Sequence, residues 1–340
     1  MRNQFSIALK GTMLLLLLAW QAAHAQDLHF SLPFRAPLLL NPALTGAIQE
    51  DYRVAYAYKN QWSTIGAPFQ TTYASYDMRV LRTGESSNRV GAGISFFNDK
   101  AGKTNMGLTQ LNLNLAYEVQ VSARKFLSAG VQAGFVQRSA NYAGIKWDSQ
   151  YNGVRYDPSL PSGETNMPQN NSYIDAGAGV GWKQTSHNEF TLRCGLAVYH
   201  LTAANGSYLD NGTDQVNLRV VLHGEGELEL DDHFTILPQL VAVNKGPAYE
   251  INAGGLVKYV TGEGSKYTDA VLPSTVSLGC YYRYLDAVIV AVLYDYKHVL
   301  SIGVNYDFNV SSLKAASSSR GGIEFSLIFT GFFEKQTINL

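Results

Sequence analysis

The chain has 340 residues, a formal net charge of −1 and only 16% charged residues, against roughly 25% in soluble domains. A net charge near zero argues against a nucleic-acid partner, which would favour a basic surface. Tyrosine and glycine are abundant, with 21 and 31 residues. Beyond the amino terminus, no apolar run reaches the roughly 20 residues that a membrane helix needs.

The first residues have the three-part pattern of a secretory signal peptide. Arg2 and Lys10 make the start positive, an apolar run follows over residues 13–19, and Ala23-His24-Ala25 fits a cleavage site. The apolar run is too short to span a membrane. We therefore expect residues 1–25 to be an export signal that is cleaved after Ala25.

The segment over residues 26–50 precedes the first predicted strand and is markedly apolar. Asn41-Pro42-Ala43-Leu44-Thr45-Gly46 predicts a fixed bend, since proline restricts its own φ and the residue before it, and Gly46 accepts a positive φ. Leu38, Leu39 and Leu40 require burial. Two placements stay open: a plug inside a barrel, or packing below the periplasmic rim, where a partner could cover the segment.

The remaining chain, residues 51–340, shows apolar and polar residues in alternation. Between Leu108 and Tyr117, Gln110, Asn112 and Asn114 lie on one face of an extended strand and leucines on the other. Fourteen segments of about ten residues fit this template. They are 51–59, 69–80, 89–98, 107–119, 126–138, 173–183, 189–199, 217–228, 233–243, 250–259, 274–284, 288–296, 299–309 and 321–330.

Export, strands of this length and the absence of a long apolar run together predict an all-β fold. We expect an antiparallel transmembrane β-barrel of the outer membrane with about fourteen strands. Small residues at Gly177, Gly179 and Gly181 on the inward face would either leave room in the barrel or let a plug approach the wall. Cys194 and Cys280 are expected to face lipid on strands that are not neighbours, and so to form no disulfide.

Connection lengths alternate as in bacterial barrels, with longer loops on the outer side. The long inner connection over residues 260–273 and the short outer one over 285–287 break the rule, so a strand there could be misplaced. The longest connection, residues 139–172, carries Trp147, Tyr151, Tyr156 and three prolines. It is either folded, as a lid or a contact surface, or a mobile loop with incidental aromatic residues.

No catalytic constellation emerges, and we expect no enzyme activity and no cofactor. His223, Glu225 and His233 could be imagined around a metal ion, but the first two share one strand and His233 begins the next. A polar barrel wall accounts for them, so no metal site is expected.

Several short motifs together carry a family resemblance: His29-Phe30-Ser31, Asn41-Pro42-Ala43 with Gly46, Tyr52-Arg53, and Asn60-Gln61-Trp62. They resemble the amino-terminal signature of the PorP/SprF family, outer-membrane proteins of type IX secretion and gliding motility in Bacteroidetes. The resemblance implies an anchor in outer-membrane lipid. Its implied partners are the secretion ring and motor proteins, or a peptidoglycan-binding lipoprotein, together with secreted cargo or a surface adhesin.

A second resemblance is limited to Asn41-Pro42-Ala43, which is similar to the hatch of FadL-like channels for hydrophobic small molecules. Such a channel implies an apolar lumen and a gap in the wall. The predicted inward residues Gln110, Asn112 and Arg219 disfavour it. The FadL-like channel is kept as the alternative function.

Overall fold

The computed structural model describes residues 30–61, 68–82, 88–102, 106–140, 145–163, 170–186, 190–207, 214–261, 273–311 and 320–333. The predicted signal peptide, its cleavage site and Trp62 lie outside these residues. In the described ranges, no helix is long and apolar enough to cross a membrane.

Fourteen antiparallel strands form one closed barrel, in which each strand pairs with its sequence neighbours and β1 pairs with β14. The predicted strand number and order are confirmed. The strands are β1 (Tyr52–Gln61), β2 (Phe69–Arg82), β3 (Arg89–Ala101), β4 (Met106–Ser122), β5 (Lys125–Ser139), β6 (Asn171–Thr185), β7 (Phe190–Tyr199), β8 (Arg219–Glu229), β9 (Phe234–Lys245), β10 (Ala248–Thr261), β11 (Ser274–Arg283), β12 (Ala287–Tyr296), β13 (Leu300–Asn309) and β14 (Arg320–Gly331).

Inward and outward faces follow the predicted alternation. In β4, Asn112 and Asn114 are buried in the lumen, while Leu113 points outward with 65% of its surface exposed. In β14, Glu324 is buried and Ile323 is exposed. A ring of exposed leucine, valine and isoleucine on the outer face suits contact with lipid, because hydrocarbon takes the place of water there.

The barrel has two distinct ends. At the termini end, β1 begins at Tyr52 opposite Gly331, where β14 ends; at the loop end lies the long connection between β5 and β6. Outward-facing aromatic residues cluster at both ends. Tyr52 packs against Phe333 at 5.2 Å between ring centroids, and at the loop end Tyr306 packs against Phe308 at 4.8 Å. Such aromatic residues typically mark the two membrane interfaces.

The two connections with unexpected lengths do not signal a misplaced strand. β10, β11 and β12 all lie in the closed ladder, and Leu285 makes the short turn between β11 and β12 with a positive φ of 56°. The ladder between β8 and β9 lacks two pairings next to Pro238, with the same register on both sides, because proline has no N–H to donate.

Both cysteines are free, Cys194 on β7 and Cys280 on β11. Cys280 is exposed on the outward face, in line with the prediction. Three strands separate β7 from β11 in the barrel order, so the two thiols are far from bridging geometry.

Candidate functional site: the plug inside the lumen

The described part of the amino-terminal segment, residues 30–50, lies inside the barrel and is called the plug below. It contains a 3-10 turn at Pro33–Arg35, a short helix α1 at Pro37–Leu40 and a second 3-10 turn at Pro42–Leu44. Each turn begins with proline, whose fixed φ suits the first helical position. Of the two predicted placements, the structure has the plug.

Apolar plug residues form the core of the molecule together with the inner wall. Leu38 and Leu40 are buried, as predicted, and Leu39 is half-buried. Phe30 packs with Tyr73 of β2 at 6.1 Å between ring centroids. Leu40 packs in a cluster with Tyr199 and residues of β8 and β9. The plug therefore contacts the wall on several sides, which fills the lumen around it.

The bend at Asn41 is held by hydrogen bonds to distant strands. Asn41 Oδ1 accepts from the Ala43 N–H at 2.8 Å, which caps the following turn. Its Nδ2 donates to the Val180 carbonyl at 3.0 Å and lies 3.0 Å from Nε2 of His223. Because Asn41 Nδ2 can only donate, His223 Nε2 accepts this bond, which places the imidazole proton on Nδ1.

The wall beside this bend carries no side chains, because glycines stand there. A Cβ added at Gly130 would lie 2.5 Å from the carbonyl carbon and oxygen of Pro42, and one at Gly179 would lie 2.1 Å from Asn41 Oδ1. No side chain fits at either position without movement of the plug. Of the two predicted roles of Gly179, the structure has the close approach of a plug, and Gly130 has the same role although its sequence context gave no sign of it.

The exit of the plug into β1 is fixed by Asp77 of β2. Its carboxylate accepts from the Gly46 N–H at 2.7 Å and from Arg53 Nε at 2.9 Å. Arg53 also donates to the Leu44 carbonyl at 3.1 Å. Gly46 has the predicted positive φ, 66°. Charge-assisted bonds of this kind are the stronger class of hydrogen bond, so they hold the end of the plug rigidly.

The other end of the plug is fixed toward the loop end by buried charges around Ser31. The Ser31 hydroxyl donates to Asp307 at 2.7 Å and accepts from Lys59 at 3.0 Å, and its N–H donates to Glu324 at 2.8 Å. Arg283 donates to the same Asp307 at 2.9 Å. Arg283 also donates to a third carboxylate, Asp286, at 2.6 Å, so both buried cations have carboxylate partners.

Between these ends, the plug carries one buried cation. Arg35 donates to the Ser326 hydroxyl at 3.0 Å, and to the hydroxyl and carbonyl of Ser301 at 2.7 and 2.9 Å. The plug is thus hydrogen-bonded at its start, middle and end to the inner faces of β13, β14, β6, β8 and β2. The plug is therefore an integral part of the folded barrel.

The structure brings together four of the seven signature residues, Asn41, Pro42, Ala43 and Gly46, in and next to the bend. Asn60 and Gln61 end β1 at the loop end, away from the bend. The sequence analysis missed the partners of the plug, which are Asp77, His223, Asp307 and Glu324; only their inward position in alternating strands was a detectable signal.

The long connection holds a folded hairpin over residues 145–163, built around the buried side chain of Gln150. Gln150 Nε2 donates to the Leu160 carbonyl at 2.9 Å, and its Oε1 accepts from Tyr156 at 3.2 Å. Ser159 donates to Asp157, which holds the pKa of the Asp157 carboxyl below its usual value. This favours the folded contact surface over the mobile loop; Pro168 lies outside the described residues.

Tyr151 and Val154 project from this hairpin with 58% and 85% of their surfaces exposed. In the described part of the chain, no group of three or more histidine, cysteine or acidic side chains is arranged to hold a metal ion. His223 serves the plug through Asn41. The described side chains thus brace the plug against the wall, and the hairpin carries exposed apolar side chains at the loop end.

A closed antiparallel barrel with an apolar outer face and an internal amino-terminal plug defines a membrane β-barrel of the plugged class. The sequence profile of the type IX secretion system membrane proteins PorP/SprF matches residues 22–329. The chain belongs to this family. A comparison with curated proteins gave no match.

Solved structures with a similar fold include the monoaromatic hydrocarbon channel CymD, with 12% identity, a TM-score of 0.51 and coverage of 90% of this chain and 94% of that one. A Pseudomonas aeruginosa FadL homologue has 12% identity, a TM-score of 0.48 and coverage of 86% and 93%. The Ralstonia pickettii toluene transporter TbuX has 11% identity, a TM-score of 0.48 and coverage of 87% of this chain and 93% of that one. At these identities the likeness to CymD concerns the fold alone.

Proposed function

We propose that this protein is an outer-membrane docking component of type IX secretion, and that it anchors other proteins without conducting cargo through its own lumen. The observation that carries the proposal is the plug. It is bonded to the wall at Ser31, Asn41 and Gly46 through strands on different sides of the barrel. Membership of the PorP/SprF family connects the protein with type IX secretion. An anchor of this kind needs no catalytic residues, which agrees with a non-enzymatic role.

The two ends of the barrel would serve different partners. Bacterial barrels with an even strand number place both chain ends in the periplasm, and we infer the same orientation here after cleavage of the signal peptide at Ala25. The termini end then meets the ring and motor proteins or a peptidoglycan-binding lipoprotein. The loop end holds secreted cargo or a surface adhesin, and the hairpin over residues 145–163 offers the contact surface.

Two observations disfavour the alternative, a FadL-like channel for hydrophobic small molecules. The lumen is lined by buried polar residues such as Asn112, Asp77 and Glu324. The ladder between β5 and β6 pairs without interruption from Lys125 to Arg138, beside the bend at Asn41. No lateral opening for an apolar substrate therefore lies between these two strands, and the docking function is the better supported one.

The test is a pull-down of the tagged mature protein from detergent-solubilised membranes, followed by mass spectrometry. We expect type IX ring or motor proteins, or one large adhesin, to be recovered with it. A matched variant replaces residues 145–163 by a short Gly-Ser linker. It should lose cargo at the cell surface and keep the periplasmic partners.

A barrel that is recovered without secretion partners and with bound fatty acid would overturn the proposal in favour of the transporter. Unchanged surface cargo in the linker variant would remove the hairpin from the docking function. Retention of the folded barrel is checked in each case by the shift in gel mobility between heated and unheated samples.

A further inference from the structure

A groove with a volume of about 650 Å³ lies on the outer face of the barrel, across β3 to β7. Ligand-binding clefts of proteins typically have volumes of roughly 300–1,000 Å³. The side chains that line the groove are apolar apart from the hydroxyl of Tyr117. Four of them point away from the lumen and are exposed: Leu115, Val131, Val180 and Leu196. The groove therefore opens toward the lipid that surrounds the barrel.

Small side chains give the groove its depth. Ala129 of β5 is paired with Val180 of β6, and Val131 of β5 is paired with Ala178 of β6. All four residues line the groove, and longer side chains of the neighbouring strands β4 and β7 stand on either side of them. A large side chain in place of either alanine would occupy this space. The groove therefore exists because Ala129 and Ala178 are small.

The part of the groove nearest the termini end has an amphipathic border. Tyr117 lines the groove there, and its hydroxyl accepts from Asn88 Nδ2 at 3.2 Å. Trp182 follows Val180 on the outward face of β6 and is paired with Leu127 of β5. Tyrosine and tryptophan are enriched at the level where hydrocarbon meets the lipid headgroups. The groove thus extends from this level into the hydrocarbon.

A lysine stands beyond this border. Lys125, the first residue of β5, is exposed, has the outward parity of Ala129 and forms no ion pair within the described ranges. Four residues of a strand span about 13 Å, or about 9 Å of depth at a tilt of about 45°. Half of the hydrocarbon core is about 15 Å thick, so Lys125 is at headgroup level and Ala129 within the same leaflet. The turn between β8 and β9, at the same end, instead carries Asp231 and Asp232.

We propose that this groove binds one anionic phospholipid, with an acyl chain along Ala129 and Ala178 and its phosphate at Lys125. Hydrocarbon chains surround the outer face of a membrane barrel, and an ammonium beside a phosphate makes a charge-assisted contact. The bound chain lies outside the part of the wall that the plug contacts from within, at Gly130 and Gly179. Lipid and plug thus support the same part of the wall. The site requires membrane insertion and does not depend on the docking function.

The test is native mass spectrometry of the purified mature protein in detergent, titrated with palmitoyl-oleoyl-phosphatidylglycerol or with the phosphatidylcholine that has the same chains. We expect one phosphatidylglycerol to be retained, about fivefold more tightly than phosphatidylcholine, because one lysine near the headgroups favours an anionic lipid by about this factor. Equal retention of the two lipids, or oleate held as tightly as phosphatidylglycerol, would overturn the proposal. A lipid-free dimer would also overturn it, since a second copy would then cover the groove.

Two pairs of variants locate the binding. Ala129→Trp fills the groove and should weaken retention about tenfold or more, whereas Ala253→Trp, on the outward face of β10, should not. Lys125→Gln should remove most of the preference for phosphatidylglycerol. Its control, Lys297→Gln, removes an exposed lysine from the turn between β12 and β13 at the same end. Equal effects within either pair would contradict the assignment, and gel mobility of unheated samples checks that each variant is folded.

Discussion

Asn41 and His223 lie 182 residues apart in sequence, and Asn41 Nδ2 is 3.0 Å from Nε2 of His223 inside the lumen. Both side chains are buried. This contact joins the plug to β8, on the side of the barrel opposite the Asp77 contact that holds Gly46. The bend of the plug is therefore held from two directions.

Asn41→Ala tests the importance of this contact. The variant loses the bond that caps the turn and the bond to Val180, and leaves buried groups without partners. We expect about 2–3 kcal/mol lower stability against urea unfolding, together with measurable ion conductance in planar bilayers. Asn152→Ala, the same change in the outer hairpin, should leave the conductance at the wild-type level. Wild-type behaviour of Asn41→Ala would show that the bend is held without its side chain.

Gly130→Ala tests the close approach of the plug to the wall. The new Cβ would meet backbone atoms of Pro42 at 2.5 Å, and backbone cannot rotate away as a side chain can. We expect about 1–3 kcal/mol lower stability, seen as a lower midpoint of heat-induced mobility shift. The control is Gly224→Ala, where the new Cβ meets nothing closer than 4.0 Å. Equal midpoints for the two variants would contradict a tight seal at Gly130.

Asp307→Asn tests the buried charge cluster around Ser31. Lys59 and Arg283 would lose the carboxylate that both of them face. Removing one partner of a buried ion pair costs on the order of 3–5 kcal/mol; Arg283 keeps its second carboxylate, Asp286 at 2.6 Å, so the loss is expected to arise mainly at Lys59. Glu227→Gln removes a half-exposed carboxylate from the pair with Arg193 and should cost only about 0–1 kcal/mol. The free energy of unfolding of both variants is measured by urea unfolding, followed by tyrosine fluorescence. A similar loss of stability in Asp307→Asn and Glu227→Gln would argue against a special role for the cluster.

Gln150→Ala tests the outer hairpin separately from the barrel. Three side-chain hydrogen bonds are lost, two of which join Gln150 to the other arm of the hairpin. We expect faster amide hydrogen exchange over residues 145–163, at unchanged barrel stability. Ser159→Ala, which removes only the bond to Asp157, should have a smaller effect. Protection that survives Gln150→Ala would mean that other contacts fold the hairpin.

The strands were predictable because their information is local. Alternation places Asn112 inward and Leu113 outward wherever the chain runs, and the fourteen segments emerged within a few residues of their observed ends. The bend at Asn41-Pro42 was predictable for the same reason, since proline and Gly46 act on their own backbone angles. Two odd connection lengths raised doubt about β10 to β12, but all three strands lie in the closed ladder, and the turn at Leu285 makes the short connection.

The partners of the plug were not predictable, because closure of the barrel brings them together. Ser31 contacts Glu324 across 293 positions and Asp307 across 276. Within its own strand each carboxylate looks like any inward polar residue. The resemblance to a family identified Asn41 as a marker, and the structure adds its bonds to Val180 and His223.

The central claim is that the barrel is sealed by its own plug and works as an anchor. The most direct measurement is the ion conductance of the purified mature protein after insertion into a planar lipid bilayer. The account predicts no stable current above that of the bare membrane, and stepwise channels once Asn41 is replaced by alanine. Stepwise conductance of the wild-type protein would contradict the sealed lumen.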